Sequence, residues 1–296
     1  GIAADQWLFH AARVARARRI ELSEVAMRLC HLGPPGTFGE SAAFAWSPDA
    51  EYQPVASHAA VVAAVDGGAA DAGVLAIENS IEGSVSETLD LLIHDTGLAL
   101  CGEVIVPVEH CLIARARGEP VRVVYSHPQA LAQCRKYLER ELPLARVEAT
   151  LSTVLGVERA LDEPAAAAIG SARAAARFSA EILARGIQDR PDNVTRFVIV
   201  AKHDAAPTGR DKTSLAFKTA HDRPGTLVEV LTELASRGLN LTKIESRPSR
   251  DALGVYVFLL DLEGHRLDPT VSEALARLTD KTSWLKVFGS YPRAAA

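Results

Sequence analysis

Short apolar runs alternate with segments of helical spacing along the first two thirds of the chain. This alternation of strand and helix is typical of an α/β fold, in which helices cover both faces of a sheet. The pattern predicts the following elements in chain order: strand Arg28–Leu32, helix Glu40–Trp46, strand Ala72–Ile77, helix Ser84–His94, strands Val104–Ala114 and Val121–Tyr125, helix Pro128–Leu138, strand Val147–Ala149, helix Val154–Leu161 and strand Val198–Ala201.

The order of elements changes after the polar run KHDAAPTGRD at 202–211, which has the composition of a linker. Beyond it, Leu227, Leu231 and Leu234 fall on one face of a predicted helix that Gly238 ends. The order is βαββαβ, which is typical of a ferredoxin-like domain. The predicted elements are strand Thr213–Thr219, helix Pro224–Arg237, strands Leu241–Ser246 and Gly254–Leu262, helix Pro269–Thr279 and strand Trp284–Tyr291.

Composition narrows the class of protein. Of the 296 residues, 48% are hydrophobic and 23% charged, which excludes intrinsic disorder and a collagen-like chain. The net charge of −5 gives no overall basic field, so nucleic acid is not an expected partner. No apolar stretch approaches the roughly 20 residues that a bilayer requires, so no membrane association is expected either.

The four cysteines predict neither a disulfide framework nor a zinc site. Cys30, Cys101, Cys111 and Cys134 are scattered, with no C-x-x-C pair. Two of them stand next to a histidine, but adjacent residues on a strand point to opposite faces and would not chelate together. Free, buried thiols are expected, and they suit a reducing cytoplasm.

Residues 1–26 are interpreted as an upstream extension. Gln6–Arg19 has helical spacing and is rich in arginine, but it lacks the apolar core of a secretory signal. The sole methionine is Met27, and the domain pattern begins directly after it. Twenty-six residues are also too few for a separate helical domain, so none is expected within them.

Polar residues cluster where predicted strands lead into helices. Unpaired N–H groups and the helix dipole make such junctions suitable for anions, so the clusters predict a neutral pocket for a small carboxylate-bearing molecule. Ser84 and Glu87 have the spacing of a capping box, and Gln133 lies where it could reach back to one junction. The junctions are Gly33–Glu40, Glu78–Ser80, Ser126–Gln129 and Ser152–Thr153.

Common hydrolase and phosphate-binding signatures are missing from the sequence. It has no G-x-S-x-G elbow, no H-E-x-x-H pair and no Walker loop. The segment Asn193–Phe197 instead places a hydroxyl, a guanidinium and an aromatic ring in consecutive positions at the entrance of a strand.

Taken in order, these motifs resemble the prephenate dehydratase family over residues 27–292. The carboxyl-terminal part is similar to the ACT regulatory domain of that family, with Gly-Thr-Leu-Val at 225–228 and Glu-Ser-Arg-Pro at 245–248. The motifs of the catalytic part are GPPGTF at 33–38, ENSIEGSV at 78–85, SHPQALAQC at 126–134, ST at 152–153 and NVTRF at 193–197.

The resemblance implies a two-lobed, periplasmic-binding-protein-like α/β catalytic domain at 27–202, a linker at 203–212 and a βαββαβ ferredoxin-like ACT domain at 213–292. The implied reaction is loss of CO₂ and water from prephenate to give phenylpyruvate, in phenylalanine biosynthesis, without a cofactor or a metal. Thr195 is then the catalytic residue, which stabilises the departing hydroxide. The implied substrate-binding residues are Thr37, Phe38, Asn79, Ser80, Ser126, Gln133, Ser152, Thr153, Arg196 and Phe197.

Two of these residues have a second interpretation. Arg196 could pair with a substrate carboxylate or brace its loop, and bracing is slightly preferred. Phe197 is also expected to belong to the core.

The ACT domain implies allosteric control by L-phenylalanine, bound between two ACT domains of a homodimer or homotetramer. Glu245 is expected to take the amino group of the effector. The implied effector-binding residues are Gly225, Thr226, Leu227, Asn240, Leu241, Glu245 and Ser246.

The sequence departs from the family pattern at two positions. Gly39 stands where a serine is usual, which removes one polar group near the substrate. Thr226 stands where an alanine is usual in the regulatory loop, which crowds the effector site slightly.

Two alternatives stay open on the residues alone. One is arogenate dehydratase, whose substrate carries an amino group in place of the keto oxygen. The other is a non-catalytic amino-acid sensor, against which the intact Thr195–Phe197 segment argues.

Overall fold

The structure is a computed structural model that describes residues 26–118, 120–221, 223–250 and 254–294. The predicted amino-terminal extension lies outside the described residues, Ala26 excepted. The elements are β1 (Arg28–Leu32), α1 (Phe38–Trp46), β2 (Glu51–Val55), α2 (His58–Asp66), β3 (Ala72–Asn79), β4 (Gly83–Ser84), α3 (Ser86–Asp90), a π-helical turn (Leu91–Asp95), β5 (Ala99–Pro107), β6 (Cys111–Ala114), β7 (Val123–Ser126), α4 (Pro128–Gln133), α5 (Arg135–Glu141), β8 (Arg146–Ala149), α6 (Thr153–Asp162), β9 (Ala166–Gly170), α7 (Ala172–Arg177), β10 (Glu181–Arg185), β11 (Val194–Ala201), β12 (Asp211–Thr219), α8 (Thr226–Ala235), β13 (Leu241–Pro248), β14 (Tyr256–Glu263), α9 (Pro269–Lys281) and β15 (Thr282–Pro292).

The first sheet has the strand order β2-β1-β3-β11-β5, and the short β4 folds back on β3. β1 and β2 run parallel, as expected for strands joined through a helix. β3 and β11 are neighbours although more than a hundred residues separate them in the chain. This adjacency brings the carboxyl end of β3 next to the start of β11.

The second sheet has the order β10-β6-β9-β7-β8. Successive residues of a strand point to opposite faces, and here each face has its own core. Val123 and Tyr125 pack with Val157 on one face, whereas Val124 packs with Leu138 on the other. Helices on both faces confirm the predicted α/β class.

The third sheet is antiparallel, with the order β13-β14-β12-β15, and α8 and α9 pack on it. Its core brings together Phe217, Leu234, Leu260 and Leu278. This is the predicted βαββαβ ferredoxin-like arrangement.

Four predicted elements were wrong in extent. The strand predicted over 198–201 begins at Val194. The helix expected from Ser84 begins at Ser86, because Ser84 pairs with Glu78 across β3 and β4. The strand predicted over 104–114 breaks into β5 and β6. The helix predicted over 128–138 breaks at Cys134, whose N–H bonds to Leu131.

Other elements were not predicted at all: β2, α2, β9, α7 and β10. β9 shows the reason. Its sequence AAAIG has little intrinsic preference for a strand, but its five residues are all buried between β6 and β7. Tertiary packing therefore overrides local propensity there.

The described residues form two compact units. The first contains 26–61, 74–85 and 105–197, and the second contains 62–73, 86–104 and 198–294. None of the described helices is long and apolar enough to span a bilayer. Within the second unit, Lys212 forms a buried ion pair with Glu103 at 2.9 Å.

Gly289 in β15 tests the packing of the second unit. Its φ is +151°, and a Cβ there would overlap the main-chain oxygen of Leu100 and lie 2.7 Å from its nitrogen. We expect Gly289→Ala to lower the free energy of unfolding by about 3 kcal/mol, since neither backbone can move cheaply. Denaturant unfolding measures the change. Gly97→Ala is the matched control, because a Cβ at Gly97 meets nothing within 4 Å; equal stabilities of the two variants would contradict the packing.

His31 in β1 makes stability depend on pH. Burial lowers the pKa of its fully buried ring, against the smaller opposing effect of the Leu32 carbonyl. In the unfolded chain this histidine has a pKa of about 6.5, so on acidification it binds a proton at a higher pH than in the folded state. The free energy of unfolding should fall as pH drops below about 6.5, by up to about 1.4 kcal/mol per pH unit.

The comparison is between the wild type and His31→Gln, which stays neutral, in urea unfolding at several pH values on either side of the histidine pKa. The variant should lose less stability on acidification than the wild type. Parallel curves for the two proteins would refute the role of His31.

Candidate active site

The side-chain amide of Asn79, at the carboxyl end of β3, is fixed in one orientation. Its Oδ1 accepts hydrogen bonds from the backbone N–H groups of Ile81 and Glu82, each at 3.0 Å. Its Nδ2 donates to Thr195 Oγ1 at 3.0 Å and to Asn193 Oδ1 at 2.8 Å. Because backbone N–H groups are donors only, the oxygen of the amide must face them.

This orientation decides how the Thr195 hydroxyl can act. Thr195 lies near the start of β11 and is half-buried. Its oxygen accepts a hydrogen from Asn79, and within the described ranges no group accepts the hydroxyl hydrogen in return. The hydroxyl can therefore donate that hydrogen to a bound molecule.

Gln133, the last residue of α4, extends the network. Its Oε1 accepts from Asn193 Nδ2 at 3.2 Å and lies 3.0 Å from His110 Nε2. Its Nε2 donates to Glu82 Oε1 at 3.2 Å. Thr195, Asn79, Asn193, Gln133 and His110 thus form one continuous chain of hydrogen bonds.

A cavity of about 210 Å³ opens beside this chain. It is lined by Ile81, Glu82, Ala132, Gln133, Gln188, Asp189, Arg190 and Asn193.

The GPPGTF loop approaches the same network through an aromatic contact. The ring of Phe38 meets the ring of His110 edge-on, with centroids 5.7 Å apart. The loop is held to α7, because Ser171 Oγ donates to the Gly36 carbonyl at 2.7 Å and Arg173 pairs with Glu40 at 2.8 Å. Thr37 precedes α1, and its hydroxyl donates to the Leu32 carbonyl at 3.3 Å. Phe38 is therefore brought to the network, whereas the Thr37 hydroxyl bonds to the main chain.

Three of the predicted hydroxyl contacts have main-chain partners. Ser80 Oγ accepts from the N–H of Val194 at 3.0 Å. Ser126 is fully buried and donates to the Ile169 carbonyl at 2.6 Å. Ser152 caps α6, of which Thr153 is the first residue. Ser126 would have to break its bond to Ile169 in order to donate to a substrate.

A larger cavity of about 710 Å³ lies near Ser152 and Thr153. The smaller cavity, unlike the larger one, is lined by Gln133 and Asn193 of the hydrogen-bond chain. The larger cavity is lined by His127, Pro128, Ala149, Thr150, Leu151, Leu155, Glu158, Arg159 and Asp162.

The two residues that follow Thr195 face other neighbours. Arg196 Nη1 lies 3.6 Å from Glu78 Oε2, and only 12% of the arginine side chain is exposed. This ion pair is the bracing contact considered for Arg196. Phe197 is 4% exposed and is counted among the buried hydrophobic residues.

His110 was not among the predicted site residues. It is 3% exposed, and burial lowers the pKa of its ring in spite of its hydrogen bond to Gln133. Its adjacency to Cys111 was the signal that the sequence offered, and that signal predicted no shared role for the two residues. The role of His110 depends on a contact with Gln133 that no local pattern encodes.

The predicted effector residues lie around the start of α8 and along β13. Gly225 caps α8 in a left-handed conformation, and the Thr226 hydroxyl donates to the Arg223 carbonyl at 2.7 Å. Leu227 and Leu241 pack against the core of the third sheet, whereas Asn240 and Ser246 are exposed.

Glu245 stands between two cations. It lies 3.3 Å from Lys243 Nζ and 3.6 Å from Arg247 Nη1. Arg247 also contacts Asp90 of α3 at 3.1 Å, and Arg250 contacts the same carboxylate at 2.6 Å. β13 is therefore tied to α3 by ion pairs.

Comparison with known proteins assigns both parts of the chain. The family model for prephenate dehydratase matches residues 29–205, and the model for the ACT domain matches residues 213–280. A bifunctional chorismate mutase/prephenate dehydratase from Aquifex aeolicus (strain VF5) is 43% identical over 298 residues, which cover 99% of this chain and 81% of the relative.

Two solved structures are also similar. The structure of prephenate dehydratase from Arthrobacter aurescens in complex with L-Phe has a TM-score of 0.82 and 38% identity, and covers 90% of each chain. A structure described as GqqA, a novel type of quorum quenching acylase, has a TM-score of 0.80 and 31% identity, and covers 90% of this chain and 98% of its own. The chain belongs to the prephenate dehydratase family, the lyases that convert prephenate to phenylpyruvate, and it carries an ACT domain at its carboxyl-terminal side.

Proposed function

We propose that Thr195 is the catalytic residue of this dehydratase and that it donates a hydrogen bond to the hydroxyl that leaves the prephenate ring. The observation that carries the proposal is the 3.0 Å bond from Asn79 Nδ2 to Thr195 Oγ1, which leaves the hydroxyl hydrogen for the substrate. One such donor is worth roughly 3 kcal/mol in other enzymes.

The reaction requires the transfer of only one proton. The bond to the ring carboxylate breaks, its electron pair enters the ring, and hydroxide leaves from the opposite ring carbon and takes up one proton to become water. Aromatisation of the ring supplies the driving force. A threonine hydroxyl is too weak an acid to give up its proton fully, so Thr195 stabilises the departing hydroxide and solvent supplies the proton.

The remaining residues of the proposed site bind the dicarboxylate. The amide of Gln133 beside the 210 Å³ cavity supports a role in holding a carboxylate or the ring hydroxyl. Arg196 is assigned a bracing role on the strength of its contact with Glu78. The other proposed substrate contacts are Thr37, Phe38, Asn79, Ser80, Ser126, Ser152, Thr153 and Phe197.

The geometry argues against an acylase like the one named for one of the similar structures. A hydroxyl nucleophile needs a neighbouring base to take its proton. The neighbour of Thr195 Oγ1 is the NH₂ group of Asn79, which donates and cannot act as a base.

We further propose that the catalytic domain spans 27–202 and the ACT domain 213–292, joined by the linker 203–212, as the matched ranges support. L-Phenylalanine is the proposed effector, which the complex of the Arthrobacter aurescens relative supports. Glu245 and its neighbours would bind it between two ACT domains of a homodimer or homotetramer. A cytoplasmic location is supported by the four free cysteines.

Replacement of Thr195 tests the catalytic assignment. Thr195→Val keeps the shape of the side chain and removes the hydroxyl, so kcat should fall by more than about 10²-fold, the cost of losing one such donor. Thr195→Ser, which keeps the hydroxyl, should recover much of the rate. Steady-state formation of phenylpyruvate measures both, and near-normal turnover by the valine variant would remove Thr195 from its role.

The Asn79 amide has its own test. Asn79→Asp puts a carboxylate next to Thr195 Oγ1, so the hydroxyl would donate to that carboxylate and not to the substrate. We expect kcat to fall by about 10²-fold or more, with the fold retained by circular dichroism. An Asn79→Asp variant as active as the wild type would show that the direction of this hydrogen bond does not matter.

The effector proposal is tested with the wild-type protein. Phenylpyruvate formation from prephenate should decrease when L-phenylalanine is added, and L-phenylalanine should raise the thermal midpoint because it binds the folded state. Arogenate in parallel decides the substrate preference. Turnover that L-phenylalanine leaves unchanged, with no thermal shift, would reject the effector site and leave the dehydratase intact.

A further inference from the structure

His110 lies at the buried end of the hydrogen-bond chain, directly before β6. Three contacts hold this residue, one through its backbone and two through its ring. The backbone N–H of His110 donates to Gln188 Oε1 at 3.0 Å, Phe38 contacts the ring edge-on, and Nε2 lies 3.0 Å from Gln133 Oε1. Its other ring nitrogen, Nδ1, is buried and has no partner among the residues that the structure describes.

The chain of amides determines which ring nitrogen carries the proton. Backbone N–H groups fix Asn79 with its NH₂ group toward Asn193, so Asn193 must turn its oxygen to Asn79 and its own NH₂ group to Gln133. Gln133 must then present its oxygen to Asn193, and the same oxygen faces His110. An amide oxygen only accepts, so His110 Nε2 must carry the hydrogen.

The opposite tautomer is incompatible with this chain. With the proton on Nδ1, Nε2 would be an acceptor and would require the NH₂ group of Gln133. That turn of Gln133 would place two NH₂ groups face to face, those of Gln133 and Asn193. The conflict cannot be relieved at Asn79, because the backbone N–H groups of Ile81 and Glu82 hold it.

We propose that His110 is a positioning residue for the dehydration of prephenate. As a neutral ring protonated on Nε2, it holds the oxygen of Gln133 inward, so that the NH₂ group of Gln133 stays turned toward Glu82 and the adjoining cavity. There the NH₂ group can bind the substrate. The inference rests on the substrate-binding role proposed for Gln133.

A double-mutant cycle tests this coupling in the full chain. His110→Phe keeps an aromatic ring against Phe38 and removes the donor, while His110→Gln keeps an NH₂ group near the position of Nε2. In the wild-type background, His110→Phe should lower kcat/KM for prephenate about 10- to 100-fold, because a buried hydrogen bond is lost and Gln133 Oε1 keeps the Asn193 donor alone. His110→Gln should recover to within about fivefold of the wild type.

The substitution His110→Phe is then made in the Gln133→Ala variant. With the amide gone, His110→Phe should change kcat/KM by less than about twofold, because coupled residues are not additive. Equal losses in both backgrounds would mean that His110 only packs, and would overturn the proposal. Normal activity of His110→Phe would overturn it as well.

Two further measurements keep the test decisive. His265→Gln is the matched control, because His265 is a fully buried histidine that bonds to the Ala205 carbonyl in the second unit, and its kcat/KM should stay within about twofold. If His110→Phe does not fold, ¹⁵N NMR of histidine-labelled wild type, assigned through His110→Gln, must show a neutral ring protonated on Nε2; the other tautomer refutes the proposal. A wild-type protein with no turnover would instead refute the proposed function.

Discussion

The site depends on the fixed orientation of one amide. Asn79 is held by two backbone N–H groups of the turn that follows β3, so its NH₂ group has only one direction in which to point. That direction determines which atoms donate and which accept hydrogen bonds at Thr195 on one side, and at Asn193 and Gln133 on the other. A single backbone turn therefore sets the donors and acceptors of side chains that come from three separate parts of the sequence.

This arrangement suits a reaction in which charge leaves the substrate. A buried ionised group is costly unless it is paired, whereas neutral amides and hydroxyls satisfy one another at little cost. The network presents hydrogen-bond donors without a buried charge, and its only ring that titrates near neutral pH, among the described members, has a pKa that burial lowers. Preorganised neutral donors can stabilise a departing hydroxide and need no reorganisation when it forms.

The second unit contains a direct connection between the sheet of the ACT domain and residues 86–96, which the prephenate dehydratase model matches. The residues that follow the Asn79 turn and β4 form α3 and a π-helical turn, and they are held by β13 and β15. Asp90 is bound by Arg247, and Lys286 Nζ donates to the carbonyls of Ile93 and Thr96 at 3.3 and 2.7 Å. Arg247 also lies 3.6 Å from Glu245, so Asp90 and Glu245 share one cation of β13.

The sequence alone determined the fold classes, the βαββαβ order and the motifs that contain Asn79, Gln133 and Thr195. Apolar periodicity and helix-start residues are local properties, and they can be recognised without knowing which residues they contact in the fold. The sequence did not reveal β9, whose alanines form a strand because they are buried between two others. It also began a helix at Ser84, whereas Ser84 pairs with Glu78 in β4 and the helix begins at Ser86.

Only the tertiary structure decided how the site residues relate to one another. It joined Asn79 to Thr195 across 116 positions and Gln133 to His110 across 23. It also gave Ser126 a buried main-chain partner and Arg196 an acidic one. The direction of a hydrogen bond depends on whether the partner atom can donate or accept. Strand order in the folded sheet decides which residue is that partner, and no local pattern of residues specifies it.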